Sequence, residues 1–261
     1  MKAIILAAGQ GTRLAPLTSQ VPKSMVTLWD RTLIGQIIDS LNTAGIHDIS
    51  VVGGYKEDLL RLHLGSRVKH FYSNPNYADT NMVESLFCAV SELEGDEDVI
   101  ISYSDIIYHP YIVEQLQEST APVSVVIDRE WEHLWRMRMQ DPLSDAETLR
   151  VNASGFITEL GKKPKSIDEI QGQYIGLIKI SKNFLPEFIA HYQGIDRNAV
   201  YDKKNFQNMY MTSFIQSIID RFDNVKAIPI EGGWVEVDSL ADLNLYESHG
   251  PQLIERNIPL K

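Results

Sequence analysis

Met1-Lys-Ala-Ile-Ile-Leu6-Ala-Ala-Gly9-Gln-Gly11-Thr-Arg13-Leu-Ala-Pro-Leu-Thr18, followed by Val21-Pro22-Lys23, is the stretch on which the fold turns. Ala3 to Leu6 form a short apolar run of the kind that makes a buried first strand. Gly9 and Gly11 end that run with a turn that only small residues allow. At the carboxyl end of a parallel strand such a loop can face its backbone N–H groups toward a phosphate chain. Arg13 and Lys23 add two cations at its mouth, with no acid between them. Leu6, Ala7, Ala8, Gly9, Gln10, Gly11 and Thr12 are therefore candidate nucleotide-binding residues. An ordinary strand-to-helix turn with a solvated Arg and Lys is the competing reading.

Two familiar phosphate motifs fail against the letters. The dinucleotide pattern Gly-x-Gly-x-x-Gly meets Leu14 at its third glycine, and the P-loop meets Pro22 where glycine must precede Lys23-Ser24. The whole string instead resembles the signature of the nucleotidyltransferase (pyrophosphorylase) superfamily, Leu-Ala-Ala-Gly-x-Gly-Thr-Arg-Leu-x-Pro-Leu-Thr followed by Pro-Lys. The match spans residues 3–23 almost without a gap. It implies that Arg13 holds the β- and γ-phosphates, where a guanidinium fork suits oxyanions. It implies that Lys23 neutralises phosphate near the reacting centre. Pro22 supports this by holding Val21 extended and so fixing the approach to the lysine.

The bulk numbers exclude several classes. A chain of 261 residues suits one large α/β domain, or one with a small insertion. The net charge of −11 argues against a nucleic-acid or anionic-membrane partner. A single cysteine, Cys88, rules out an internal disulfide and a Cys-based zinc site, and it reads as a buried helical thiol. No apolar stretch approaches the ~18–20 residues that span a bilayer. Gly9 and Gly11 interrupt what would be a signal-peptide core, so a cytoplasmic protein is expected.

Short strands alternate with helical patterns over the first half. Strands are expected at 3–7, 49–52, 69–72 and 99–103, and helices at 33–44, 57–64 and 81–93, the last with Asn81 as N-cap and Glu84 three residues on. This rhythm predicts a Rossmann-like, doubly wound, mostly parallel mixed sheet with its ligand beyond the carboxyl strand ends. After residue 120 the pattern becomes mixed. Strands are expected at 123–127, 149–151, 156–160, 174–180, 225–230 and 234–237, and helices at 183–191, 211–221 and 240–247. Asn152-Ala-Ser-Gly155 signals a hairpin. With no linker in view, residues 1–261 read as one domain, about 1–120 binding nucleotide and about 121–261 binding an acceptor.

Two acids are the candidate Mg²⁺ ligands. Asp105 closes the strand Val99-Ile-Ile-Ser-Tyr-Ser-Asp105 on the edge carrying the glycine loop. A cation there would neutralise charge developing on the α-phosphate and departing pyrophosphate; the alternative is an Asp capping the following turn. The superfamily strand ends in Gly-Asp, so Ser104 is a departure in the small residue only. Asp238 lies in Gly232-Gly-Trp-Val-Glu236-Val-Asp238-Ser, where alternation puts Glu236 and Asp238 on one strand face. Asp238 or Ser239 could equally cap the next helix. The resemblance places a second metal ligand at Asp238 and leaves Glu236 to support it or to bind acceptor.

Asn76-Tyr-Ala-Asp-Thr-Asn81-Met-Val-Glu-Ser85-Leu86 narrows the resemblance to the phosphocholine/phosphonate cytidylyltransferase branch. Asn81 and Ser85, one turn apart, could read a base edge or cap the helix. Tyr108, Trp131, Trp135, Tyr174 and Trp234, near Asp128, Glu130 and Glu132, suit an ammonium-bearing acceptor if they are not core. Gly161-Lys162-Lys163 offers cations to an acceptor phosphate, or is a solvated turn. The resemblance thus implies CMP transfer from CTP to a small phosphate or phosphonate monoester, resembling phosphocholine, aminoethylphosphonate or phosphoglutamine, with pyrophosphate release and a possible homodimer. A sugar-1-phosphate nucleotidyltransferase using UTP or dTTP, and a non-catalytic nucleotide sensor, are the alternatives.

Overall fold

The computed structural model describes residues 1–255. At its centre lies a seven-stranded sheet, in the order Val225–Ile230, Val123–Asp128, Gln173–Ile180, Val99–Tyr103, Lys2–Leu6, Ile49–Gly53 and His70–Ser73. All neighbouring pairs are parallel except the two made by Gln173–Ile180, which runs antiparallel to both of its neighbours. The expected mostly parallel mixed sheet is therefore present, with strands from before and after residue 120 joined in it.

The sheet reverses its winding at its first strand. From Lys2–Leu6 the chain steps outward to Ile49–Gly53 and His70–Ser73, then returns to lay Val99–Tyr103 on the other side. Such a reversal opens a crevice beyond the carboxyl strand ends. Leu6 is in register with Tyr103, so the glycine loop and Ser104-Asp105 emerge side by side. Alternating side chains of the first strand feed two cores. Ala3 and Ile5 join Leu33, Ile37 and Ile112 on one face, while Ile4 and Leu6 join Leu86, Phe214 and Ile218 on the other.

A small antiparallel pair completes the frame. Ile106–Tyr108 pairs with Trp234–Glu236, and the Val237 N–H donates to the Asp105 carbonyl at 2.8 Å. This clamp carries Asp238 to Asp105 although the two lie more than a hundred residues apart in the chain. Ile106–Tyr108 was not among the expected strands, because three residues are too few to show a period.

The expected helix over 81–93 is two pieces, Met82–Cys88 and Val90–Leu93, broken at Ala89. Asn81 does cap the first, its side chain accepting from the Met82 N–H at 2.8 Å. Beyond the break Glu92 is buried against three strands, contacts that no local pattern announces. Helices Pro110–Glu118 and Trp131–Arg138 also lie outside the expected elements. In the second, Trp131, Leu134 and Trp135 form a buried i, i+3, i+4 stripe. No helix among the described residues is long and apolar enough to cross a membrane.

Candidate active site

The glycine loop is shaped by the lysine it leads to. Gly11 adopts φ +64°, and a Cβ there would lie 2.7 Å from Lys23 Cβ and 2.9 Å from its Cγ. The Lys23 stem thus runs along the bare face of Gly11. The Thr18 hydroxyl donates to the Gly11 carbonyl at 2.9 Å, and the Tyr55 N–H donates to the Ala8 carbonyl at 3.1 Å, so both sides of the loop are tied.

At the end of that stem the Lys23 ammonium donates to Asp105 Oδ2 at 2.8 Å and to Asp238 Oδ1 at 2.5 Å. Burial alone would lower the lysine pKa; the two carboxylates outweigh it and hold the pKa well above the usual range. Arg13 Nη2 reaches Asp238 Oδ2 at 2.7 Å. Burial would raise the Asp238 pKa, but Lys23, Arg13 and Arg138 together lower it. Both proposed phosphate cations and both proposed metal acids therefore meet in one cluster.

The capping alternatives are answered by the hydrogen bonds. Helix Leu240–His249 is capped by Ser239, whose hydroxyl accepts from the Asp242 N–H while Asp242 accepts in return, leaving the Asp238 carboxylate free of that role. Asp105 caps nothing: one oxygen takes Lys23, and the other, Oδ1, is buried without a hydrogen-bond partner. One oxygen from each of Asp105, Glu236 and Asp238 lies within a 4.8 Å set. Clustered carboxylates with a buried oxygen left unpaired fit a hard divalent cation such as Mg²⁺. Glu236 is bound by Arg138 Nη1 at 2.8 Å, and burial with the Asp238 charge pushes its pKa up to about 7.

A cleft of about 280 Å³ opens over this cluster. Its walls include Leu6, Ala8, Gly9, Gly11, Thr12, Arg13, Lys23, Asp105 and Asp238, and opposite them Asn81 and Ser85. Ala7 and Gln10 do not line the cleft. Tyr77, Thr80, Met82, Tyr103 and Ser104 line it as well. The sequence signal for Tyr103 and Ser104 was their place beside Asp105 at the strand end. Asn81 and Ser85 are engaged locally: Asn81 Nδ2 donates to the Asn208 carbonyl at 3.3 Å, and Ser85 Oγ accepts from Asn74 Nδ2 at 2.9 Å. A larger cavity of about 770 Å³, lined by Tyr111, Asp128, His133 and Trp234, contains neither the glycine loop nor Asp105 and Asp238. The candidate site is therefore the smaller cleft, which alone of the two is lined by Arg13, Lys23, Asp105 and Asp238.

The structure does not bring the aromatic acceptor wall expected at Tyr108, Trp131, Trp135, Tyr174 and Trp234 to this cleft, since none of the five lines it. Tyr108, Trp131, Trp135 and Trp234 are buried core side chains. The three indoles pack in sequence, with centroids 5.9 Å and 6.1 Å apart. Their polar ends are also committed: Trp135 Nε1 donates to Asp145 at 3.1 Å and Trp234 Nε1 to the buried Asp128 at 2.8 Å. The Tyr108 hydroxyl pairs with the Ser102 hydroxyl at 3.1 Å. Tyr174 stands edge-on behind Tyr103 at 5.7 Å, one layer from the cleft. Large aromatic area was captured by folding, which offers it more burial than an open site would. Lys162 pairs with Glu159 at 3.2 Å, and Lys163 donates to the Ser144 carbonyl at 2.9 Å.

Comparison with known proteins shows the family and the fold. The family model for the MobA-like NTP transferase domain matches residues 3–161. A CTP:phosphoglutamine cytidylyltransferase of Campylobacter jejuni is 47% identical over 94% of this chain and 98% of its own length. A choline-phosphate cytidylyltransferase of Streptococcus pneumoniae is 29% identical over 80% of this chain and 95% of its own. Among solved structures, an inositol-1-phosphate CTP transferase from T. maritima shares the fold with a TM-score of 0.69 at 20% identity, covering 94% of each chain.

Proposed function

Because this chain belongs to the MobA-like NTP transferase family, we propose that it transfers CMP from CTP to a small phosphate-bearing acceptor of the phosphoglutamine kind. The observation that carries the reading is the meeting of Arg13, Lys23, Asp105 and Asp238 at the mouth of the glycine loop. Likeness over nearly the full length to a CTP:phosphoglutamine cytidylyltransferase supports the choice of nucleotide and acceptor class. With the aromatic residues committed to packing, that likeness rather than an aromatic cage supports an amine-bearing acceptor.

An acceptor phosphate oxygen attacks the α-phosphorus of CTP as the bond to the β-phosphate oxygen breaks and pyrophosphate leaves. No covalent enzyme intermediate is needed; positioning and charge neutralisation supply the catalysis. Loop backbone from Ala8 to Thr12 cradles the triphosphate, Arg13 meets the β- and γ-phosphates, and Lys23 turns its ammonium from the acids to the α-phosphate. Asp105 and Asp238 would hold Mg²⁺, which when bound neutralises charge on the phosphates. Asn81 and Ser85, which line the same cleft, would meet the base.

Pyrophosphate release measured across five NTPs and a panel of phospho-, phosphono- and phosphoamide acceptors tests this. Turnover with CTP and an amino-acid or amino-alcohol phosphate is expected. Turnover with UTP or dTTP and glucose 1-phosphate alone would replace the reading with a sugar-nucleotide synthase, and CTP binding without turnover with a sensor.

A further inference from the structure

We propose that Arg138 is a positioning residue for the metal-binding carboxylates; the proposal rests on the roles given to Asp105 and Asp238 above. Arg138 ends helix Trp131–Arg138 with its side chain only 3% exposed. Its Nη1 donates to Glu236 Oε2 at 2.8 Å and its Nε to Asp242 Oδ1 at 3.0 Å. The guanidinium also lies 5.2 Å from the centre of the Trp135 ring, which fixes its plane.

Asp242 passes this constraint on. Its Oδ2 accepts from the Asp238 N–H at 3.1 Å, the Ser239 N–H at 2.8 Å and the Ser239 hydroxyl at 2.9 Å. One planar fork thus holds Asp238 from two directions, through Glu236 at the end of the preceding strand and, by way of Asp242, through the peptide N–H of Asp238 itself. It also balances Glu236, whose oxygen lies within the 4.8 Å set shared with Asp105 and Asp238. Arg138 does not line the cleft, so it meets no phosphate directly. A lysine cannot reproduce two directed N–H bonds from one rigid plane. Partners behind metal ligands typically set affinity by about 10–100-fold.

The test is Mn²⁺ binding, read by the electron paramagnetic resonance of free Mn²⁺, with α,β-methylene-CTP present. Arg138→Met and Asp242→Asn should weaken Mn²⁺ about 10–100-fold, and Arg138→Lys should recover only part. Nucleotide affinity measured in EDTA should stay unchanged in all three. Lys179→Met is the control for mere loss of a buried charge: Lys179 is 3% exposed, pairs with Asp98 at 3.2 Å and donates to the Gln117 and Ser119 carbonyls away from the cleft. That variant should lose stability and keep its Mn²⁺ affinity. Unchanged Mn²⁺ affinity in Arg138→Met, or equal weakening in Lys179→Met, would overturn the role of Arg138 while leaving the proposed reaction standing. Failure of the wild type to bind Mn²⁺ at all would overturn the metal site and this role together. Should Arg138→Met not fold, Asp242→Asn carries the same comparison, since its amide oxygen can still accept from Ser239.

Discussion

The aliphatic stem of Lys23 lies against Gly11 so closely that no side chain fits between them. The second glycine of the loop is therefore a seat for the lysine as much as a turn. Gly11→Ala would add a Cβ 2.7 Å from Lys23 Cβ at a φ of +64°, where L-residues pay about 1 kcal/mol. The expected outcome is a modest loss of stability and a fall in kcat of about 10–100-fold, since small displacements of a positioning group are costly. Steady-state kinetics beside thermal unfolding separates the two effects.

Asp105 and Asp238 share the Lys23 ammonium and Asp238 also meets Arg13, so two cations face two carboxylates before any ligand arrives. Asp105→Asn or Asp238→Asn should leave circular dichroism unchanged and cut turnover by about 1,000-fold or more. Lys23→Met should differ from both, because it leaves Asp105 unpaired and Asp238 with Arg13 alone. Its melting temperature should drop in EDTA and recover in part when Mg²⁺ is added, whereas wild type responds less. Full activity in either asparagine variant would remove the metal assignment.

Trp131 separates packing from acceptor recognition. It is 3% exposed and stacked edge-on to Trp135. Trp131→Leu keeps apolar bulk but loses the ring, so it should cost about 1–3 kcal/mol in urea unfolding. The acceptor KM should remain within about twofold, whereas a ring in contact with an acceptor ammonium would contribute up to about 2 kcal/mol, or more than tenfold.

What the sequence made legible was whatever is local. The glycine loop, the strand ending at Asp105 and the pair Glu236–Asp238 are contiguous strings whose order alone puts them at strand ends. The indoles were not legible because composition does not show direction: Trp131, Leu134 and Trp135 at helical spacing form a buried stripe whose period is masked by the acids beside it. The clamp between Ile106–Tyr108 and Trp234–Glu236 joins segments more than a hundred residues apart, so no window could show it. Arg138 was invisible for the same reason, since its meaning comes from Glu236 and Asp242.

Glu92 makes part of the stability of the fold sensitive to acid. It is 4% exposed and accepts from Lys2 at 3.1 Å, Ser50 at 2.9 Å and Tyr72 at 2.8 Å, with His70 Nδ1 at 2.7 Å. Burial by itself would raise its pKa, but the bonds from Tyr72, His70, Lys2 and Ser50 prevail and bring it down to about 2. A carboxyl whose folded pKa lies below its unfolded value of 4.5 binds fewer protons when folded. Its contribution is therefore complete above the unfolded value and is lost as pH falls from there through about 2. Glu92→Gln should cost about 2 kcal/mol at neutral pH, because charged hydrogen bonds are replaced and Lys2 loses its partner. Urea unfolding of wild type and variant should give curves that draw together below about pH 4. A gap that stayed constant down to the acid transition would show that the cost of the substitution is packing rather than charge.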